Sequence, residues 1–166
     1  MNTVKRQKRT VGSIIKIDLG SGYHTYGRIL PEISFAFYDC KVKEDIADLN
    51  KIISLPILFI ASVYGDTITK GIWTKVGTLP LEPDLYKLPS EFIQDTFNPE
   101  KFRIINYQLN TETPAKFEDC IGMERVCVWE PHGIVDRLND YYENRIKDRL
   151  EYFDRPELFQ KMKKIA

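Results

Sequence analysis

Between residues 15 and 40 three stretches of period-two alternation follow one another, separated only by turn residues. Ile15, Ile17 and Leu19 alternate with Lys16 and Asp18, the period of a strand with one buried and one wet face. Gly20-Ser21-Gly22 then supplies the positive φ angles of a tight hairpin turn. In the return stretch, 23–30, Tyr23, Thr25, Gly27 and Ile29 alternate with His24, Tyr26, Arg28 and Leu30, until Pro31 ends it for want of a ladder N–H. In 33–40, Ile33, Phe35, Phe37 and Asp39 share one face opposite Ser34, Ala36, Tyr38 and Cys40. Strands joined by connections this short are antiparallel neighbours. The expected result is a meander able to curl into a small barrel.

Farther on, Ile46, Leu49, Ile52 and Ile53 give a weak helical stripe. The nearly unbroken apolar run 57–64 predicts a buried central strand. Further strands are expected at 71–76, 102–109 and 123–129, with a loop at 110–114. Val135, Leu138, Tyr142, Ile146, Leu150 and Phe153, spaced by three or four, predict a helix with one apolar stripe. Pro131 fits its first turn, and a short final helix begins at Leu158 after a break at 154–157. The expected class is therefore α+β, an antiparallel, partly barrel-like sheet in the N-terminal and central regions with C-terminal helices packed against it. With no repeat or long linker, 11–166 reads as a single domain. Residues 1–10, carrying Lys5, Arg6, Lys8 and Arg9, read as a flexible basic arm.

Charge and cysteine content narrow the function. Lys plus Arg number 24 and so do Asp plus Glu. That balance makes nucleic acid an unlikely ligand, because non-specific affinity for it comes from neutralising phosphates. Cys40, Cys120 and Cys127 form no CxxC pair, so reduced, mostly buried thiols are expected rather than a disulfide framework or a zinc ribbon. The apolar run 55–63, broken by Pro56 and Ser62, falls well short of the ~20 residues that span a bilayer. No secretory h-region follows the basic N-terminus. A cytoplasmic protein with no membrane partner is expected.

Catalytic constellations are thin. His24 and His132 are the only histidines. His132 lies near Glu130 and Asp136, and with Asp39 these form the one set a small hydrolase could use, yet a zinc site needs three or four ligands. Gly20-Ser21-Gly22 lacks the Gly-Lys-Ser/Thr ending of a P-loop, and Cys120 follows Glu118 and Asp119, which disfavour a thiolate. No catalytic residue, metal or cofactor is expected. An RNA-binding reading would use the arm with Tyr23, Tyr26 and Arg28. The segment 80–100 is different in kind. Four prolines punctuate it, Glu82, Asp84, Glu91, Asp95 and Glu100 face a single Lys87, and Tyr86, Phe92 and Phe97 are interspersed. Such a segment suits docking to a basic partner. The expected partner-binding residues are Trp73, Glu82, Asp84, Tyr86, Glu91 and Asp95.

Several of these blocks together resemble the immunity protein 26 family of bacterial polymorphic-toxin systems. They are Gly12-Ser-Ile-Ile-Lys-Ile-Asp-Leu19, Gly22 with Tyr26-Gly-Arg-Ile-Leu30, Ala36-Phe-Tyr-Asp39, Pro56-Ile-Leu-Phe-Ile60, Gly71-Ile-Trp73 and Gly77-Thr-Leu-Pro-Leu81. Cys120-Ile-Gly-Met-Glu124, Val128-Trp129 and Asp136-Arg137-Leu138 complete the likeness. Asp18 and Met123 depart from the pattern, which has proline and leucine there. The resemblance implies a protein that neutralises a cognate toxin by binding it, a basic nuclease being one candidate toxin class. It brings no catalytic set, although some relatives carry a phosphotriesterase label.

Overall fold

The meander forms as its alternation requires. β1 (Ser13–Gly20) pairs antiparallel with β2 (Tyr23–Ile29), from Ile14↔Arg28 to Gly20↔Tyr23. The turn between them holds positive φ at Gly20 (84°), Ser21 (55°) and Gly22 (79°). β3 (Ser34–Tyr38) continues against β2, and α1 (Leu49–Ile53) follows, capped by the Asp48 carboxylate on Asn50 N–H. β4 (Ile57–Val63) then pairs antiparallel with β3. This is a computed structural model that describes residues 6–143. They fall into two compact units: the described residues up to Tyr86 with Val128–Tyr142, and Lys87–Cys127 with Glu143.

In the first unit, α2 (Asp66–Thr69) and β5 (Thr74–Thr78) follow β4, and β5 returns beside β1. The six-stranded sheet runs β10-β4-β3-β2-β1-β5, where β10 (Val128–Trp129) is parallel to β4. It is open, ending in β5 and the short β10, so the described residues do not close the barrel the sequence suggested. Both faces of its centre are covered. Ile15, Ile17, Phe35, Phe37, Ile68 and Trp73 belong to one apolar cluster, and Ile14, Tyr26, Tyr38 and Ile52 to the other. β2 and β3 are consequently buried at nearly every position instead of alternating. The run 57–63 is less buried than expected. Ile57 is 37% exposed and only Ala61 and Val63 are buried, because the strand outside β4 pairs with it at two residues alone.

The second unit holds a four-stranded sheet, in the order β8 (Thr111–Ala115), β7 (Phe102–Asn106), β6 (Glu91–Gln94) and β9 (Glu124–Arg125). β6 (Glu91–Gln94) lies within the proline-punctuated segment and pairs antiparallel with β7 (Phe102–Asn106). β8 (Thr111–Ala115) replaces the expected loop and carries Pro114 on an edge strand, where a missing N–H is tolerated. Phe102 packs against Phe92 and Phe117 at ring-centroid distances of 6.2 and 5.8 Å. The stretch 123–129 is not one strand. β9 (Glu124–Arg125) joins this sheet, and β10 (Val128–Trp129) joins the first.

α3 (Pro131–Tyr142) begins at the proline, as its sequence position required, and buries Ile134 and Leu138, with Val135 and Tyr142 against the same cluster. The stripe residues Ile146, Leu150 and Phe153, and the final helix from Leu158, lie outside the described residues. No helix among the described residues is long and apolar enough to cross a membrane.

Candidate functional site

Arg28 organises the chain on which the first part of the acidic segment begins. It is fully buried in β2. Its Nε donates to Gly12 O at 2.7 Å, and Nη2 donates to Leu79 O and Pro80 O, each at 3.0 Å. Nη1 lies 3.5 Å from the Tyr38 hydroxyl and forms an ion pair with Glu82 at 3.3 Å. A buried guanidinium is tolerable only with its donors satisfied, and here three carbonyls and a carboxylate do so. The result ties residues 79–82 to the sheet.

The six expected docking residues then separate. Trp73 faces the core. It is 2% exposed and packs edge-on against Phe35 and Phe37 at 5.6 and 5.8 Å. Gly71, at φ 69°, turns the chain so that Ile72 faces out and Trp73 faces in. Glu82 is turned toward Arg28. Glu91 is only 9% exposed and accepts the Tyr107 hydroxyl proton in a hydrogen bond. Burial pushes its pKa above the ordinary glutamate value, with the Glu124 charge adding to the rise and the Tyr107 bond opposing it. Asp95 Oδ1 accepts the N–H groups of Phe97 at 3.0 Å and Asn98 at 2.7 Å, fixing a tight turn.

Asp84 and Tyr86 stand out on the 3-10 turn Pro83–Tyr86, with Tyr86 57% exposed. The Asp95 turn presents Phe97 at 99% exposure. The accessible features are thus two turns, each pairing a carboxylate with an aromatic ring, one in each unit. Phe97 stood in the sequence only as one of three interspersed aromatics; its place between Asp95 and Asn98-Pro99 was the turn signal that marks it as exposed.

The hydrolase set does not assemble. Asp39 accepts hydrogen bonds from Tyr142 at 3.2 Å and Tyr141 at 3.4 Å, at the C-terminal end of α3. His132 stands at the other end, and at about 1.5 Å rise per residue roughly 15 Å of helix separates them. Among the described residues no three His, Cys, Asp or Glu side chains converge as a metal site. Burial pushes the Cys120 thiol up to about 11, with Asp119 and Glu118 adding to the rise, so it is no nucleophile. The RNA reading loses Tyr26 and Arg28, both buried. Only Tyr23 remains near the surface, under the ammonium groups of Lys41 and Lys43 at 4.7 and 4.9 Å.

Part of the expected arm is fastened. Arg9 Nη2 donates to Leu30 O at 2.8 Å and Ser34 O at 3.1 Å, with its guanidinium over the Phe35 ring. Gln7 is hydrogen-bonded to the stretch 68–75.

No curated protein and no solved structure matches the chain. The profile described as "Immunity protein 26" matches residues 10–103, more than half of the 166 residues. The match takes in all of β1 to β6, including the buried Arg28 and both carboxylate–aromatic turns. The chain belongs to the immunity protein 26 family.

Proposed function

We propose that this protein is a cytoplasmic immunity protein that binds a cognate toxin and neutralises it by occlusion, without catalysis. Membership of the immunity protein 26 family carries this reading. Each unit offers its own contact: Asp84 with Tyr86 in the first, and Asp95 with Phe97 in the second. Aromatic anchors contribute much of the energy at protein interfaces, and carboxylates speed encounter with a basic partner. A toxin that holds phosphate in its active site, as a nuclease does, presents the positive surface such turns fit.

The test is association with the toxin encoded beside this gene. Asp84→Asn with Asp95→Asn removes two charges while keeping the acceptor the Asp95 turn needs. Association should slow several-fold at low salt, with the difference shrinking at high salt. Tyr86→Ala with Phe97→Ala should raise the dissociation rate roughly tenfold or more. Unchanged rates in both variants would place the interface elsewhere, and the absence of any complex would end the immunity reading itself.

A further inference from the structure

The outer edge of β5 is met by a side chain where another sheet would place a strand. Among the described residues β5 pairs with β1 alone, and such an edge offers unpaired backbone N–H and C=O groups to any extended chain. Gln7 answers them. Its Oε1 accepts the Lys75 N–H at 2.8 Å, and its Nε2 donates to Trp73 O at 2.8 Å and to Ile68 O at 3.1 Å. One carboxamide thus supplies both the acceptor and the donor that the backbone of a neighbouring strand would bring from two successive peptide groups. Lys75 Nζ donates to Lys8 O at 2.9 Å and to Thr10 Oγ1 at 3.2 Å, and the Arg9 bonds to Leu30 and Ser34 fasten the same stretch.

Edge strands are ordinarily blunted by proline, by extreme shortness or by charge. In the second unit β8 carries Pro114, and at the other end of the first sheet β10 is two residues long. β5, Thr-Lys-Val-Gly-Thr, has no proline, and its one charge is held by the Lys8 carbonyl and the Thr10 hydroxyl. Val76 beside it is 40% exposed. Among the described residues its protection therefore comes from residues 7–10.

We propose that residues 7–10 are an edge guard, and that the ligand they exclude is β5 of a second copy of this chain, paired antiparallel. Such a pairing is two-fold and self-complementary: each Lys75 N–H released by Gln7 finds a carbonyl on the same edge of the other copy. The proposal stands apart from the toxin-binding reading and is tested on the purified chain alone.

Gln7→Ala and Gln7→Ala/Arg9→Ala are compared with the parent by hydrogen exchange and analytical ultracentrifugation. In Gln7→Ala the Lys75 amide should exchange roughly tenfold faster or more at low protein concentration, while β2 amides hold. In the double variant the chain should pass from monomer to dimer as concentration rises. Adding Lys75→Pro removes the outward N–H and leaves the β1 ladder intact, so it should restore the monomer. Unchanged Lys75 exchange in Gln7→Ala would overturn the proposal. So would a parent chain already dimeric, a folded double variant that stays monomeric, or a dimer that survives Lys75→Pro.

Discussion

Glu82 and Glu91 look alike in the sequence, both acidic and both near prolines, yet Glu91 is buried and Glu82, half in solvent, is committed to Arg28. Glu82 faces a buried guanidinium, and Glu91 sits beneath Tyr107 on the sheet of the second unit. For Glu91 a strand register decided it, and for Glu82 an ion pair with a residue far back in the chain; no local pattern encodes either. Trp73 shows the same limit, since its inward turn follows from one glycine at positive φ. Asp84 and Tyr86 were legible because a proline-led turn exposes what it carries whatever the register. Glu91 also sets a pH dependence. Its folded pKa is raised, chiefly by burial, so the folded state holds the proton more tightly than the unfolded chain does. That stabilisation is complete below the ordinary glutamate range and is lost as pH rises through the raised value. Glu91→Gln keeps an acceptor for Tyr107 and removes the buried charge. The variant and the parent should melt together at about pH 4 and separate toward about pH 7, with the variant melting higher. Calorimetry across that range checks it, and a difference that ignores pH would deny Glu91 this role.

Among the elements, β2 rather than β4 should be the last to exchange its amides. β2 has β1 and β3 on either side and apolar clusters on both faces. β4 has a full partner only in β3, and Ile57 is partly in solvent. Phe59 is half-buried, 4.8 Å from Phe37 and beneath the Arg137 guanidinium at 3.5 Å. Phe59→Ala should therefore cost about 2–3 kcal/mol in urea unfolding, less than the ~3–5 of a fully buried phenylalanine. Exchange slower in β4 than in β2, with a larger loss at Phe59, would restore 57–63 as the centre of the core. The apolar run was visible in the sequence, and its place in the sheet was not. A strand's burial depends on what pairs with it, and here that is β10, which returns from far along the chain. The meander was legible because alternation and turn glycines are local. β6 and β8 were hidden by prolines, which mark loops on average and are also tolerated on edge strands.

At the scale of the whole molecule, the two units differ in the core that supports each. The first has two apolar clusters on opposite faces of one sheet. Among the described residues, the buried apolar side chains of the second are Phe92, Phe102, Phe117 and Cys120. A smaller core leaves less burial to set against chain entropy, so the second unit should open first. The chain carries its own probes for this. Trp73 and Trp129 are its only tryptophans, and both belong to the first unit. Cys120 belongs to the second, and its thiol, pushed up to about 11 by burial, stays unreactive at mildly alkaline pH while it is folded. With Cys40→Ser and Cys127→Ser removing the other thiols, alkylation reports opening of the second unit alone. In a urea series, Cys120 labelling should rise at lower denaturant than the shift in tryptophan emission. Two midpoints in that order mean that the units unfold in sequence. Coincident midpoints would mean that all the described residues unfold as one cooperative body, with the smaller core stabilised by more than its own burial.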